Sequence, residues 1–82
     1  MKITLCARAK ILHILDEGKA FRIQASVGGG SQVDLILNSV LSVNDCIIAT
    51  IPLVVADIST ATLTAGRCID FDYRSGDFLI ST

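Results

Sequence analysis

From Lys2 to Ile11 the chain alternates without a break. Lys2, Thr4, Cys6, Arg8 and Lys10 fall on one side, and Ile3, Leu5, Ala7, Ala9 and Ile11 on the other. A strand sends successive side chains to opposite faces, so this period of two predicts a half-buried β-strand. At Ile11-Leu12 the phase slips: Leu12 and Ile14 take over the apolar side with His13 between them, which predicts a β-bulge. Asp16-Glu17-Gly18-Lys19 has the chemistry of a turn. Residues 20–27 then alternate again, with Phe21, Ile23, Ala25 and Val27 inward and Arg22, Gln24 and Ser26 outward. The first 27 residues are therefore expected to form a β-hairpin.

Gly28-Gly29-Gly30-Ser31 interrupts the pattern, and the segment near 32–42 supports two readings. Val33, Leu35 and Leu37 alternate with polar Asp34 and Asn38, as in a strand. Val33, Ile36, Leu37, Val40 and Leu41 also lie at i, i+3, i+4, i+7 and i+8, which is one face of a helix. Ser31 followed by Asp34 resembles a capping box. After a turn over Leu41-Ser42-Val43-Asn44-Asp45, where Asn44 suits the left-handed conformation, residues 46–51 predict a strand buried on both faces. Pro52 requires an edge, a bulge or a bend. Residues 53–65 are rich in β-branched side chains and predict another strand, turned by Gly66. Residues 69–73 and 78–81 predict a closing hairpin around Arg74-Ser75-Gly76-Asp77. The expectation is a mainly β single domain over residues 1–82. It would be a small barrel or sandwich of about six short strands, with one short helix near 32–42 as the α+β variant.

Composition sharpens this. Of 82 residues, 51% are hydrophobic and only 18% charged. A domain this small hides only about 60% of the surface its unfolded chain exposes. Part of the apolar surplus must remain outside, and a contiguous apolar patch marks a surface that meets another chain. The contact surface is expected within residues 46–65, which carry long apolar stretches and a single charge, Asp57; Val54 and Val55 fall at its centre. A homo-oligomer is the expected state.

The net charge is −1, which gives no basic footprint for nucleic acid. The aromatic side chains that serve as base-stacking platforms are also scarce. Charge is unevenly placed, five basic and two acidic residues up to position 22 against two and six beyond it. No run is long and continuous enough to span a bilayer or to form a secretory leader, so the expectation is a cytoplasmic protein without a membrane partner. Cys6, Cys46 and Cys68 are odd in number and contain no Cys-x-x-Cys pair. They are expected to be small buried hydrophobes in a reducing compartment, with no metal or other cofactor.

Three constellations carry candidate chemistry. Consecutive N–H groups at Gly28, Gly29, Gly30 and Ser31 can cradle an anion, with Arg8 or Lys10 supplying charge. The segment lacks the Gly-Lys-Ser/Thr ending of a nucleotide-binding loop. Asp70, Asp72 and Asp77 can offer oxygens to a hard cation, but the rest of a calcium loop is missing and a solvated hairpin face is the favoured reading. His13 is the single histidine, and its spacing from the cysteines sets up no nucleophile–base pair, so no catalytic residue is assigned.

The order of several short motifs resembles a known family. These are Lys2-Ile3-Thr4, Ala9-Lys10-Ile11-Leu12, Asp16-Glu17-Gly18, Gly28-Gly29-Gly30 and Leu41-Ser42-Val43-Asn44-Asp45 with Ile47-Ile48-Ala49-Thr50-Ile51. Together they resemble the small β-barrel of Mop and TOBE domains over about residues 1–58. The resemblance implies a barrel that oligomerises. It also implies, as the alternative function, a small module that binds an oxyanion or phosphate. Of the family's Ala-Arg-Asn-x-x-x-Gly-like opening this chain keeps Ala7-Arg8, and Pro52 stands where the family has a lysine.

The functional expectation is a non-enzymatic interaction module that self-associates and binds a protein partner. Compact chains of this kind are common among phage and mobile-element products, including inhibitors of host systems.

Overall fold

The computed structural model describes residues 1–26 and 33–81. In chain order the elements are β1 (Lys2–Ile3), α1 (Leu5–Ile14), β2 (Ala20–Ala25), β3 (Val33–Ser39), β4 (Cys46–Thr50), β5 (Leu53–Ala56), α2 (Ile58–Leu63), β6 (Cys68–Asp72) and β7 (Asp77–Ser81). The protein is mainly β. Among the described residues the strands form a four-stranded sheet, β3-β2-β5-β4, and a three-stranded sheet, β1-β6-β7, and they do not close into a barrel.

The opening hairpin is corrected. Only Lys2 and Ile3 form a strand, pairing parallel to Cys68 and Ile69, and residues 5–14 are helical. Thr4 is the N-cap, its hydroxyl oxygen accepting the Ala7 N–H at 3.2 Å. The helix contains Leu, Ala, Arg and Lys, and no β-branched residue before Ile11, so intrinsic propensity favours it. The alternation that suggested a strand leaned on Ala7, Ala9 and Cys6, small residues that suit either face. In the helix Ala7 and Ile11, four apart, are fully buried, whereas Leu5 and Leu12 point outward. The bulge expected at Ile11-Leu12 disappears with the strand.

The segment near 32–42 is a strand, not a helix: β3 pairs antiparallel with β2, with Ile23 opposite Leu35 and Gln24 opposite Asp34. The register shifts between Ala20 and Arg22, where β3 carries an additional residue. Asn38 absorbs that residue with φ 58°, so the left-handed asparagine is Asn38, where the sequence pointed to Asn44. Strand β4 is not buried on both faces. It lies at the sheet edge with Ile47 exposed, and a second register shift falls between Ile47 and Ala49.

The strand expected through residue 65 ends at Ala56. Asp57 caps α2, its carboxylate accepting the Thr60 N–H at 2.7 Å. Thr62 and Thr64 donate their hydroxyls to the carbonyls of Ile58 and Thr60, which satisfies Thr62 inside the helix and Thr64 at its C-cap. The Thr60 hydroxyl oxygen accepts the Ala25 N–H at 3.0 Å and ties α2 to the end of β2. The closing hairpin forms as expected, β6 against β7 in register from Cys68–Ser81 to Asp72–Asp77.

Both sheets and α1 share one core: Ala7, Ile11, Phe21, Ile23, Val54, Ala56, Ile69 and Phe71. Phe78 joins the sheets, its ring centroid 5.2 Å from Phe21 and 4.8 Å from Phe71. Such pairs contribute about 0.5–1.5 kcal/mol beyond their burial. The inward assignment of Phe21 and Ile23 holds, and Arg22 and Gln24 face the other way.

Candidate functional site

Part of the apolar surplus lies on the outward face of the four-stranded sheet and in the loop that follows β3, while Leu5, Leu12, Ile51, Ile58, Tyr73 and Leu79 are exposed on other segments. Register places Ile36, Arg22, Val55 and Ile47 in one row across β3, β2, β5 and β4, all on the side opposite the core. Arg22 lies in the middle of this row and is fully engaged. Its Nε donates to Ser39 Oγ at 2.8 Å, and its terminal nitrogens donate to the two Asp45 oxygens at 2.7 and 2.6 Å. One terminal nitrogen also donates to the Val40 carbonyl at 3.1 Å. Bidentate Arg–carboxylate pairs fix orientation as well as energy. This one draws the loop from Val40 to Asp45 against the sheet.

Asp45 also accepts the Ser42 N–H at 2.7 Å, and its side chain is only 4% exposed. The Arg22 hydrogen bonds, then the Ser42 N–H, hold its carboxyl down at about 2. The same contact raises Arg22. Val55 has no exposed surface, so its row is sealed at that point.

Around this satisfied ion pair the surface is aliphatic. Val43 is 99% exposed, Val40 68%, Ile47 55%, Leu41 47% and Ile36 39%. Exposed Gln24 and Asp34 form a polar margin further along the same face. A central apolar area with a polar margin is the anatomy of a protein-contact surface.

The expected contact residues need correction. Val54 and Val55 are both fully buried, so neither can meet a partner. Within 46–65 the exposed large side chains are Ile47, Ile51, Ile58 and Leu63. Sequence reasoning missed the contribution of residues 36–43, because that segment was read for its inward pattern. The signal available was the adjacent Val40-Leu41 and Val43 in a turn, where apolar side chains have no core to enter.

The other candidates disperse. Gly28, Gly29, Gly30 and Ser31 lie outside the described residues. Arg8 donates to the Ile51 carbonyl at 3.2 Å, while Lys10 sits 5.3 Å above the Phe71 ring. Two positions apart on a helix, they point in different directions. Asp70 accepts from the Thr4 hydroxyl and the Phe71 N–H, and Asp72 from the Arg74 N–H. Among the described residues no group of three or more His, Cys, Asp or Glu is placed to hold a metal ion. His13 is exposed in the last turn of α1 rather than packed at a bulge. The cysteines are free, but Cys6 is exposed and Cys46 and Cys68 only half-buried, which corrects the expectation of three buried thiols. A cleft of about 300 Å³ opens between β3 and β7, walled by Val33, Leu35, Phe78 and Ile80 and also lined by Ser26 and Arg67.

Among the described residues no helix is long and apolar enough to cross a membrane. Compared with family models, curated proteins and solved structures, the chain matches none.

Proposed function

We propose that this chain is a non-enzymatic interaction module, a small β-rich domain that self-associates and acts by covering a protein partner's surface. The observation that supports this reading best is the aliphatic surface of Ile36, Val40, Leu41, Val43 and Ile47 around the Arg22–Asp45 pair. A small domain gains nothing from leaving such a surface in water, and association removes it. Native mass spectrometry tests the reading directly. The expected result is a multiple of the 8.7 kDa chain mass. A species that stays at one chain mass at about 100 µM, well above typical micromolar affinities, overturns self-association.

The alternative is a small oxyanion- or phosphate-binding module, and one observation favours it. Ser26 and Val33, which flank residues 27–32 in sequence, line the cleft that also takes in Arg67. In that case the same spectrum carries a small-molecule adduct that persists after buffer exchange.

A further inference from the structure

We infer that the outer face of the four-stranded sheet is covered by a second copy of this chain, docked face to face about a two-fold axis. The inference rests on the self-association proposed above and adds which surface is used and how.

Size is the first argument. The exposures of Ile36, Val40, Leu41, Val43 and Ile47 together equal about three fully exposed aliphatic side chains. At about 100 Å² each, the area that matches the transfer energy of such a side chain, they offer roughly 300 Å² of apolar surface. An interface needs about 1,000 Å² in total, hence about 500 Å² per partner, of which somewhat over half is apolar. The two figures agree for an interface at the small end of the specific range. A dissociation constant on the micromolar scale suits that size.

Charge is the second argument. A two-fold contact sets a patch against its own image, so an unmatched charge close to the axis meets a like charge. Here the central charges cancel within each copy. Arg22 and Asp45 are bonded to each other, and Arg22 also has Ser39 and Val40 as acceptors. Burying a charge pair is costly when its hydrogen bonds are incomplete. In this pair the partners are already in place, and the Asp45 side chain is already removed from water. A charged partner of either sign would find no complementary group at the centre, whereas a second copy needs none.

The mode is the third. Strand β4 is an uncharged edge, which by itself invites strand-to-strand pairing. Its register shift between Ile47 and Ala49 interrupts the straight ladder that edge pairing requires. With edge pairing disfavoured, the copies meet through faces.

Sedimentation equilibrium of the full chain and of three variants tests this. Val43→Glu is safe for the fold, because the residue is almost fully exposed, and Ile47→Lys changes a second point on the same face. Leu5→Glu, at 83% exposure on α1, is the control. The wild type and Leu5→Glu should be dimers. Val43→Glu and Ile47→Lys should each weaken the dimer on the order of 100-fold, since a charge is stranded in an apolar contact. Circular dichroism should match the wild type throughout. A wild-type dimer that survives both Val43→Glu and Ile47→Lys overturns this face and leaves self-association standing. A wild-type trimer or larger ring overturns the two-fold arrangement. A wild-type monomer overturns this inference together with self-association and leaves the face for a different partner.

Discussion

Thr4 Oγ donates a 2.6 Å hydrogen bond to Asp70 Oδ1, joining residues 66 positions apart. The same Thr4 oxygen accepts the Ala7 N–H, so one hydroxyl both caps α1 and binds the helix start to β6. The Thr4 hydroxyl, then the Phe71 N–H, lower the Asp70 carboxyl below its ordinary range. Replacing Thr4 with Val keeps the shape and removes both bonds. Loss of a cap costs about 1 kcal/mol, so urea unfolding at pH 7 should show a destabilisation of that order. The folded-state value of Asp70 lies below the unfolded one. Its contribution is therefore full above the unfolded value and is lost as pH falls through the folded value. The gap between wild type and Thr4→Val should accordingly narrow on acidification. A gap that widens towards low pH would contradict the assignment.

Asp45 gives a second and more direct titration. Its carboxyl at about 2 remains charged through the range in which ordinary aspartates protonate. Stability from the Arg22–Asp45 pair should be full above about pH 4 and drain away as pH falls towards the folded value. Carboxyl-detected NMR should find the wild-type midpoint near about 2. In Arg22→Gln it should move up towards the ordinary 3.9 or so, held back only by the Ser42 N–H. A wild-type midpoint already in the ordinary range would mean that the loop from Val40 to Asp45 is not tethered in solution.

The cysteines should separate by exposure. Cys6 stands on the open side of α1, whereas Cys46 and Cys68 are half-buried in strands. Access governs alkylation when thiols are otherwise alike. Brief iodoacetamide treatment of native protein, read by peptide mass spectrometry, should modify Cys6 first. Equal rates at all three sites would require that β4 and β6 open as readily as the helix surface.

How much of this was legible depended on what each residue type can disguise. Phe21 and Ile23 announce an inward face because no other large apolar side chain lies between Leu15 and Val27, and the hairpin around Arg74-Ser75-Gly76-Asp77 announces itself by its turn residues. Ala7 and Ala9 carry almost no directional information, so α1 imitated a strand, and Thr4 was the clue that counted. Thr60, Thr62 and Thr64 disguised α2 through β-propensity, which the Asp57 cap and the bond from the Ala25 N–H to Thr60 outweighed. The aliphatic face was foreseeable as a quantity but not as a place. Its location depends on the register that sets Ile36, Arg22, Val55 and Ile47 in one row, and no local pattern encodes that pairing.

Asn38 offers a test of the bulge that sets this register. Its φ of 58° is a conformation that side chains with a Cβ resist, by about 1–2 kcal/mol for an ordinary residue. Its Oδ1 also accepts the Asp16 N–H at 2.8 Å, tying β3 to the chain leaving α1. Asn38→Gly keeps the conformation accessible and loses only the side-chain bond. Asn38→Ala loses the bond and also bears the conformational strain. Both variants should be less stable than wild type, with the alanine variant worse than the glycine variant by about 1 kcal/mol in urea unfolding. If the two were equally stable, the strand would be relaxing at position 38. The row of Arg22 and Ile36 would then have to be held by something other than the bulge.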